Sequence, residues 1–71
     1  MNELIERIHK LRDEEGIPIH FRRGGRGLAF WYVYYGYTLI AYKADQETAS
    51  HAVDVAVIVH NEIHKDKAKA A

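Results

Sequence analysis

The residues most able to do chemistry in this chain are basic and aromatic, and they sit together. Arg22-Arg23-Gly24-Gly25-Arg26-Gly27 places three guanidiniums among glycines. Guanidiniums fork onto phosphate oxygens, and glycines let backbone N–H groups come close to an anion. The alternative reading is a solvated turn that keeps the protein soluble. Directly after it, residues 28–42 hold seven of the eight aromatic residues: Phe30, Trp31, Tyr32, Tyr34, Tyr35, Tyr37 and Tyr42. Aromatic rings beside arginines stack on bases or anchor a protein partner.

Other candidates are weaker. His60 and His64 are spaced i,i+4, as two zinc ligands on a helix are, but the order His-x-Glu-x-His around Glu62 is not that of zinc peptidases and no third ligand stands out. Asp54 is a carboxylate inside an apolar stretch, expected to point outward or to pair with an arginine. No Ser-His-Asp set, Cys nucleophile or phosphate loop ending in Lys-Ser/Thr is present. The expectation is a non-enzymatic protein with no metal and no cofactor.

Charge supports the basic segment. Residues 16–43 carry Arg22, Arg23, Arg26 and Lys43 and no acid, whereas each flank holds three bases and five acids, and the whole is neutral. A neutral chain is not drawn to nucleic acid by its overall field, so contact would rest on the central patch. The chain has 71 residues and no Cys. That is one small domain with a modest core, for which self-association is a direct way to gain buried area. The lack of Cys, of a signal peptide and of an apolar stretch long enough for a membrane span points to a cytoplasmic protein.

Five elements must position these side chains. Asn2 is a suitable N-cap, Leu4, Ile5, Ile8 and Leu11 form one stripe, Glu3–Arg7 and Glu6–Lys10 pair at i,i+4, and Gly16 stops the helix, which predicts a helix over Glu3–Glu15. Ile17, Ile19 and Phe21 alternate, and Pro18 suits an edge, giving a strand over 17–23 with a hairpin loop over 22–27. The aromatic run is uncharged and too long for one strand. Gly36 divides it into strands over 28–35 and 37–42. Strand side chains alternate, so one set, either Trp31, Tyr35 and Tyr37 or Phe30, Tyr32 and Tyr34, faces away from the helices.

The last segment is ambiguous. Val53, Val55, Val57 and Val59 alternate like a strand, while Ala49, Ala52, Ala56, Val59 and Ile63 follow helical spacing. Caps at Asp45 or Thr48 and the Glu-, Lys- and Ala-rich tail favour a helix over 46–67, fraying toward Ala71. The sum is an α+β domain of order α-β-β-β-α, with both helices on one face of a three-stranded antiparallel sheet.

That order resembles the double-stranded RNA-binding domain over the whole chain. Ala49, Ala52 and Ala56 fall where that family packs its Ala-rich helix on the sheet, and the loop over 22–27 matches the one that enters the minor groove. Where the family has phosphate-gripping lysines, this chain has Gln46, Glu47 and Ser50. From about residue 21 to 61 the chain also resembles the DNA-binding domains of ethylene-response factors and some phage integrases. Asp45, Ala49, Ala52, Asp54 and Ala56 match the D-x-x-x-A-x-x-A-x-D-x-A signature of their helix. The resemblance implies base and phosphate contacts from the sheet through Arg22, Arg23, Arg26 and Trp31.

Two functions follow as expectations. One is a nucleic-acid-binding module acting through Arg22, Arg23, Arg26, Trp31, Tyr35, Tyr37 and Lys43. The other is a dimeric protein–protein module, such as a phage- or plasmid-type regulator or inhibitor, that offers its aromatic face to a protein. A homodimer is expected in either case, because a bare aromatic face is a liability on a monomer.

Overall fold

Asn2 starts the first helix, α1 (Glu3–Glu15): its side-chain oxygen accepts the backbone N–H groups of Leu4 at 2.9 Å and Ile5 at 3.3 Å. Leu4, Ile8 and Leu11 are the buried stripe of α1. Gly16 ends it with φ 68, a left-handed position that a side chain would strain, and its N–H reaches the Leu11 carbonyl. The computed structural model describes residues 2–70, with side chains through Lys65. Ala71, where fraying is expected, lies outside the described residues.

Three strands follow: β1 (Ile19–Gly24), β2 (Phe30–Tyr35) and β3 (Thr38–Ala44), antiparallel and in the order β1-β2-β3. The final helix, α2, spans Gln46–Ala70. Asp45 caps it, its carboxylate accepting the Thr48 N–H at 2.7 Å. The chain is therefore an α+β domain of order α-β-β-β-α, with two helices over one face of a three-stranded antiparallel sheet. The valine alternation does not sort faces as a strand would: Val53 is fully buried, Val57 half-buried, and Val55 and Val59 are exposed.

The core lies between the sheet and the helices. Ile17, Ile19, Trp31, Val33, Ala41 and Ala44 meet Leu4, Ile8 and Leu11 of α1 and Ala49, Val53 and Ala56 of α2. Small residues on both sides, Ala41 and Ala44 against Ala49 and Ala56, let α2 lie close to β3. Arg7 Nη2 bridges the helices to Asp54 Oδ1 at 2.6 Å. Asp54 thus pairs with an arginine, and Arg7 reaches across to α2 rather than along its own helix to Glu3.

The sheet departs from the sequence reading in three places. β1 starts at Ile19 rather than at Ile17 and, as expected, includes Arg22 and Arg23, which pair with Tyr32 and Trp31, so the loop begins only at Gly25 rather than at Arg22 and includes a 3-10 turn over Arg26–Leu28. β2 begins at Phe30 rather than Leu28, which the 3-10 turn takes up. β3 extends to Ala44 because it is irregular: Val33 pairs with Ala41 but Trp31 with Ala44, so three steps on β3 match two on β2. Lys43, with φ 50, accommodates the extra residue in a left-handed conformation. The bulge is what lets Ala41 and Ala44 share the buried side despite their odd spacing.

Candidate nucleic-acid interface on the open sheet face

The face of the sheet turned away from the helices is built by alternation. Trp31 and Val33 are buried under the helices at 1% and 0% exposure, so their neighbours Phe30, Tyr32 and Tyr34 project the other way. On β1 the same phase brings up His20 and Arg22, the cross-strand partners of Tyr34 and Tyr32. On β3, Leu39 pairs with Tyr34, and the Tyr42 ring meets the Tyr32 ring edge-on with centroids 5.5 Å apart. Lys43 Nζ lies 5.6 Å from the centre of the Tyr42 ring. One row thus crosses all three strands: Arg22, Tyr32, Tyr42, Lys43.

The glycines of the loop make room for these rings. A Cβ on Gly24 would stand 3.0 Å from the Tyr32 ring, and one on Gly25 would be 2.4 Å from the Phe30 ring. Gly24-Gly25 is therefore a seat for two aromatics as well as a turn. The electrostatics of the face are one-sided. Every acid of the sequence lies at or before Glu15 or at or after Asp45, so none belongs to β1, β2 or β3. Aromatic surface flanked by cations and free of carboxylates suits an anionic, flat-ringed ligand.

The expected site residues divide. Arg22 and Lys43 belong to the open-face row. Arg26 is exposed on the 3-10 turn at its edge. Tyr37 is fully exposed, at 106%, in the β2–β3 turn beside Gly36. Trp31 and Tyr35 do not belong to this face. Trp31 is core, 1% exposed, with its ring beside that of Phe21 (centroids 5.4 Å apart), and cannot reach a base. Tyr35 faces α2, where its hydroxyl and His60 Nδ1 are hydrogen-bonded at 2.8 Å.

Arg23 is committed elsewhere as well. Its guanidinium lies 4.4 Å from the Trp31 ring centre and Nη2 donates to the Leu28 carbonyl at 2.8 Å, while its Nε is buried without a partner. It braces the loop over the core, so the three arginines do not form one patch. Tyr32, Tyr34 and Tyr42 are the open-face residues that the sequence reading did not place among the sites. The signal for Tyr32 and Tyr34 was present in the period-two phase, once Trp31 is known to be inside.

Two titrating groups are shifted. The Asp45 carboxyl is held below its usual value by hydrogen bonds from the Thr48 backbone and side chain at the start of α2. His60 is pushed down by partial burial and by His64 beside it, the two rings 4.2 Å apart. No group of three or more His, Cys, Asp or Glu among the described residues is arranged to hold a metal ion. No helix among them is long and apolar enough to cross a membrane. Comparison with protein-family models, curated proteins and solved structures finds no match.

Proposed function

We propose that this protein is a small non-enzymatic nucleic-acid-binding module whose open sheet face takes an unpaired strand. The observation that carries this reading is the row Arg22–Tyr32–Tyr42–Lys43 on a sheet without a single acid. Tyr32, Tyr34 and Tyr42 supply ring surface for bases, each such contact contributing about 1–3 kcal/mol. Arg22, Lys43 and Arg26 lie around the rings, where they meet the sugar–phosphate backbone.

An unpaired strand fits better than a duplex for a steric reason. Stacking on a sheet needs base faces, which a duplex hides and a single strand displays. The positions that would grip a duplex groove from the start of α2 read Gln46, Glu47 and Ser50, without a cation.

Titration of labelled single-stranded and duplex oligonucleotides over a range of salt tests the reading. A single strand held by Arg22, Arg26 and Lys43 releases counterions, and the slope of log affinity against log salt is then about −0.7 for each phosphate neutralised, near −2 in all. Preference for the duplex refutes the unpaired-strand reading. Absence of binding to either at low salt removes nucleic acid as the ligand and leaves a protein as the partner of this face.

A further inference from the structure

The helix α2 carries two apolar seams, and only one of them is used within the chain. Ala49, Val53 and Ala56 face the sheet and are buried. A second seam, Thr48, Ala52, Val55, Val59 and Ile63, is spaced by threes and fours, the spacing by which helices pack against helices. Apart from Ala52, which is half-buried against the core, the seam stands open among the described residues: Val55 is 45% exposed, Val59 43% and Ile63 54%. This seam forms one wall of a groove whose other wall is the flank of β3, where Ile40 and Tyr42 are also exposed. The groove lies along β3 on its helix side and meets the open sheet face at Tyr42 and Lys43.

We infer that this groove is the interface of a homodimer, in which the α2 seam of a second copy packs antiparallel against the first about a two-fold axis near Val55. Three observations select a second copy as the occupant. First, the missing partner of a 3-4 spaced seam is another such helix, and the chain's other helix, α1, is already spent on β1 and the core.

Second, the charges at the rim are self-complementary. Lys43 lines the groove toward the start of α2, with His51 and with Asp45, whose carboxylate is taken up by the Thr48 N–H, and Glu62 lies toward its other end. Antiparallel pairing about Val55 brings Glu62 of each copy toward His51 and Lys43 of the other, and keeps the two Glu62 carboxylates apart.

Third, the seam is long enough for a second helix to lie along it. The seam from Thr48 to Ile63 is ~22 Å long at 1.5 Å per residue, and Ile40 and Tyr42 widen it.

The groove shares Tyr42 and Lys43 with the open sheet face, so the test uses positions on α2 alone, which the proposed strand-binding row does not include. Light scattering on the wild-type chain at tens of micromolar is expected to give twice the 8.2 kDa chain mass. The variant V55D, an exposed position, is expected to give the single-chain mass with an unchanged circular dichroism spectrum.

The chain has no cysteine, so a crosslink locates the axis even if V55D fails to fold. In oxidised glutathione, which takes up the two thiol hydrogens, V55C is expected to form a disulfide-linked dimer. S50C, on a different side of α2, is expected to stay largely single. A monomeric wild type overturns the inference, as does V55C crosslinking no faster than S50C.

Discussion

The guanidinium of Arg23 lies 4.4 Å from the centre of the Trp31 ring, its cross-strand partner, on the side of the sheet that the helices cover. Its sequence neighbour Arg22 pairs with Tyr32 on the opposite side. Two adjacent arginines therefore have separate roles, one in the fold and one on the surface proposed to bind.

Replacement of the two separates those roles. Arg23→Ala loses a stacked cation and the hydrogen bond to Leu28, and is expected to lower unfolding stability by about 1–2 kcal/mol. Arg22→Ala is expected to stay within about 0.5 kcal/mol of wild type and to flatten the salt slope of single-strand binding by about 0.7. Urea unfolding and salt titration of both variants check this, and equal loss of stability in the two would refute the division.

Trp31→Ala is expected to destabilise by about 3–5 kcal/mol, the range for emptying a large aromatic site in a core. Wild-type tryptophan emission is expected to be blue-shifted and poorly quenched by iodide, before and after nucleic acid is added. Ready quenching of the free protein would place the ring outside the core.

The glycines of the first hairpin rank by what surrounds them. Gly25 has φ 79 and the Phe30 ring 2.4 Å from where a Cβ would be, whereas Gly27 has φ 70 and open space. Gly27→Ala is expected to cost about 1 kcal/mol in backbone strain alone. Gly25→Ala adds the displacement of Phe30, for about 2–3 kcal/mol in all. Thermal or urea unfolding gives the order, and a larger cost at Gly27 would contradict it.

Stability is expected to fall with pH in two windows. His60 has its pKa lowered by burial and by His64, so the folded protein resists the protonated form more than the unfolded chain does. Its contribution is present above the ordinary histidine value of about 6.5 and is lost as pH falls below it. Asp45, lowered by its bonds to Thr48, contributes above its ordinary value, and that contribution is lost in the more acidic window below it. His60→Gln is expected to remove part of the loss between about pH 7 and pH 5 in urea midpoints and to leave the acidic part, whereas Asp45→Asn acts in the acidic window.

Much of the fold was legible in the sequence for local reasons. Asn2, the stripe Leu4–Ile8–Leu11 and Gly16 define α1 without help from the rest of the chain, and Gly36, with φ 60, divides the aromatic run as expected. What the sequence left open depended on distant partners. Both phases of β2 are aromatic, so only the helices lying over Trp31 and Val33 decide that Tyr32 and Tyr34 face out. The bulge at Lys43 breaks the period of two and hid the last part of β3. Arg22 and Arg23 fell in both the expected strand and the expected loop, and the ladder to Tyr32 and Trp31 is what makes them strand. α2 looked apolar around its girth because two seams, one for the sheet and one for the groove, run along it side by side.

The central claim is that the open sheet face is where nucleic acid is bound, and backbone NMR tests it most directly. A ¹⁵N-labelled sample titrated at low salt with a short single-stranded oligonucleotide is expected to show its largest shift changes at His20, Arg22, Tyr32, Tyr34, Tyr42 and Lys43. The α1 amides and the groove side of α2 are expected to stay unmoved. Saturable changes centred instead on α2, or no changes at all at millimolar oligonucleotide, would contradict the account.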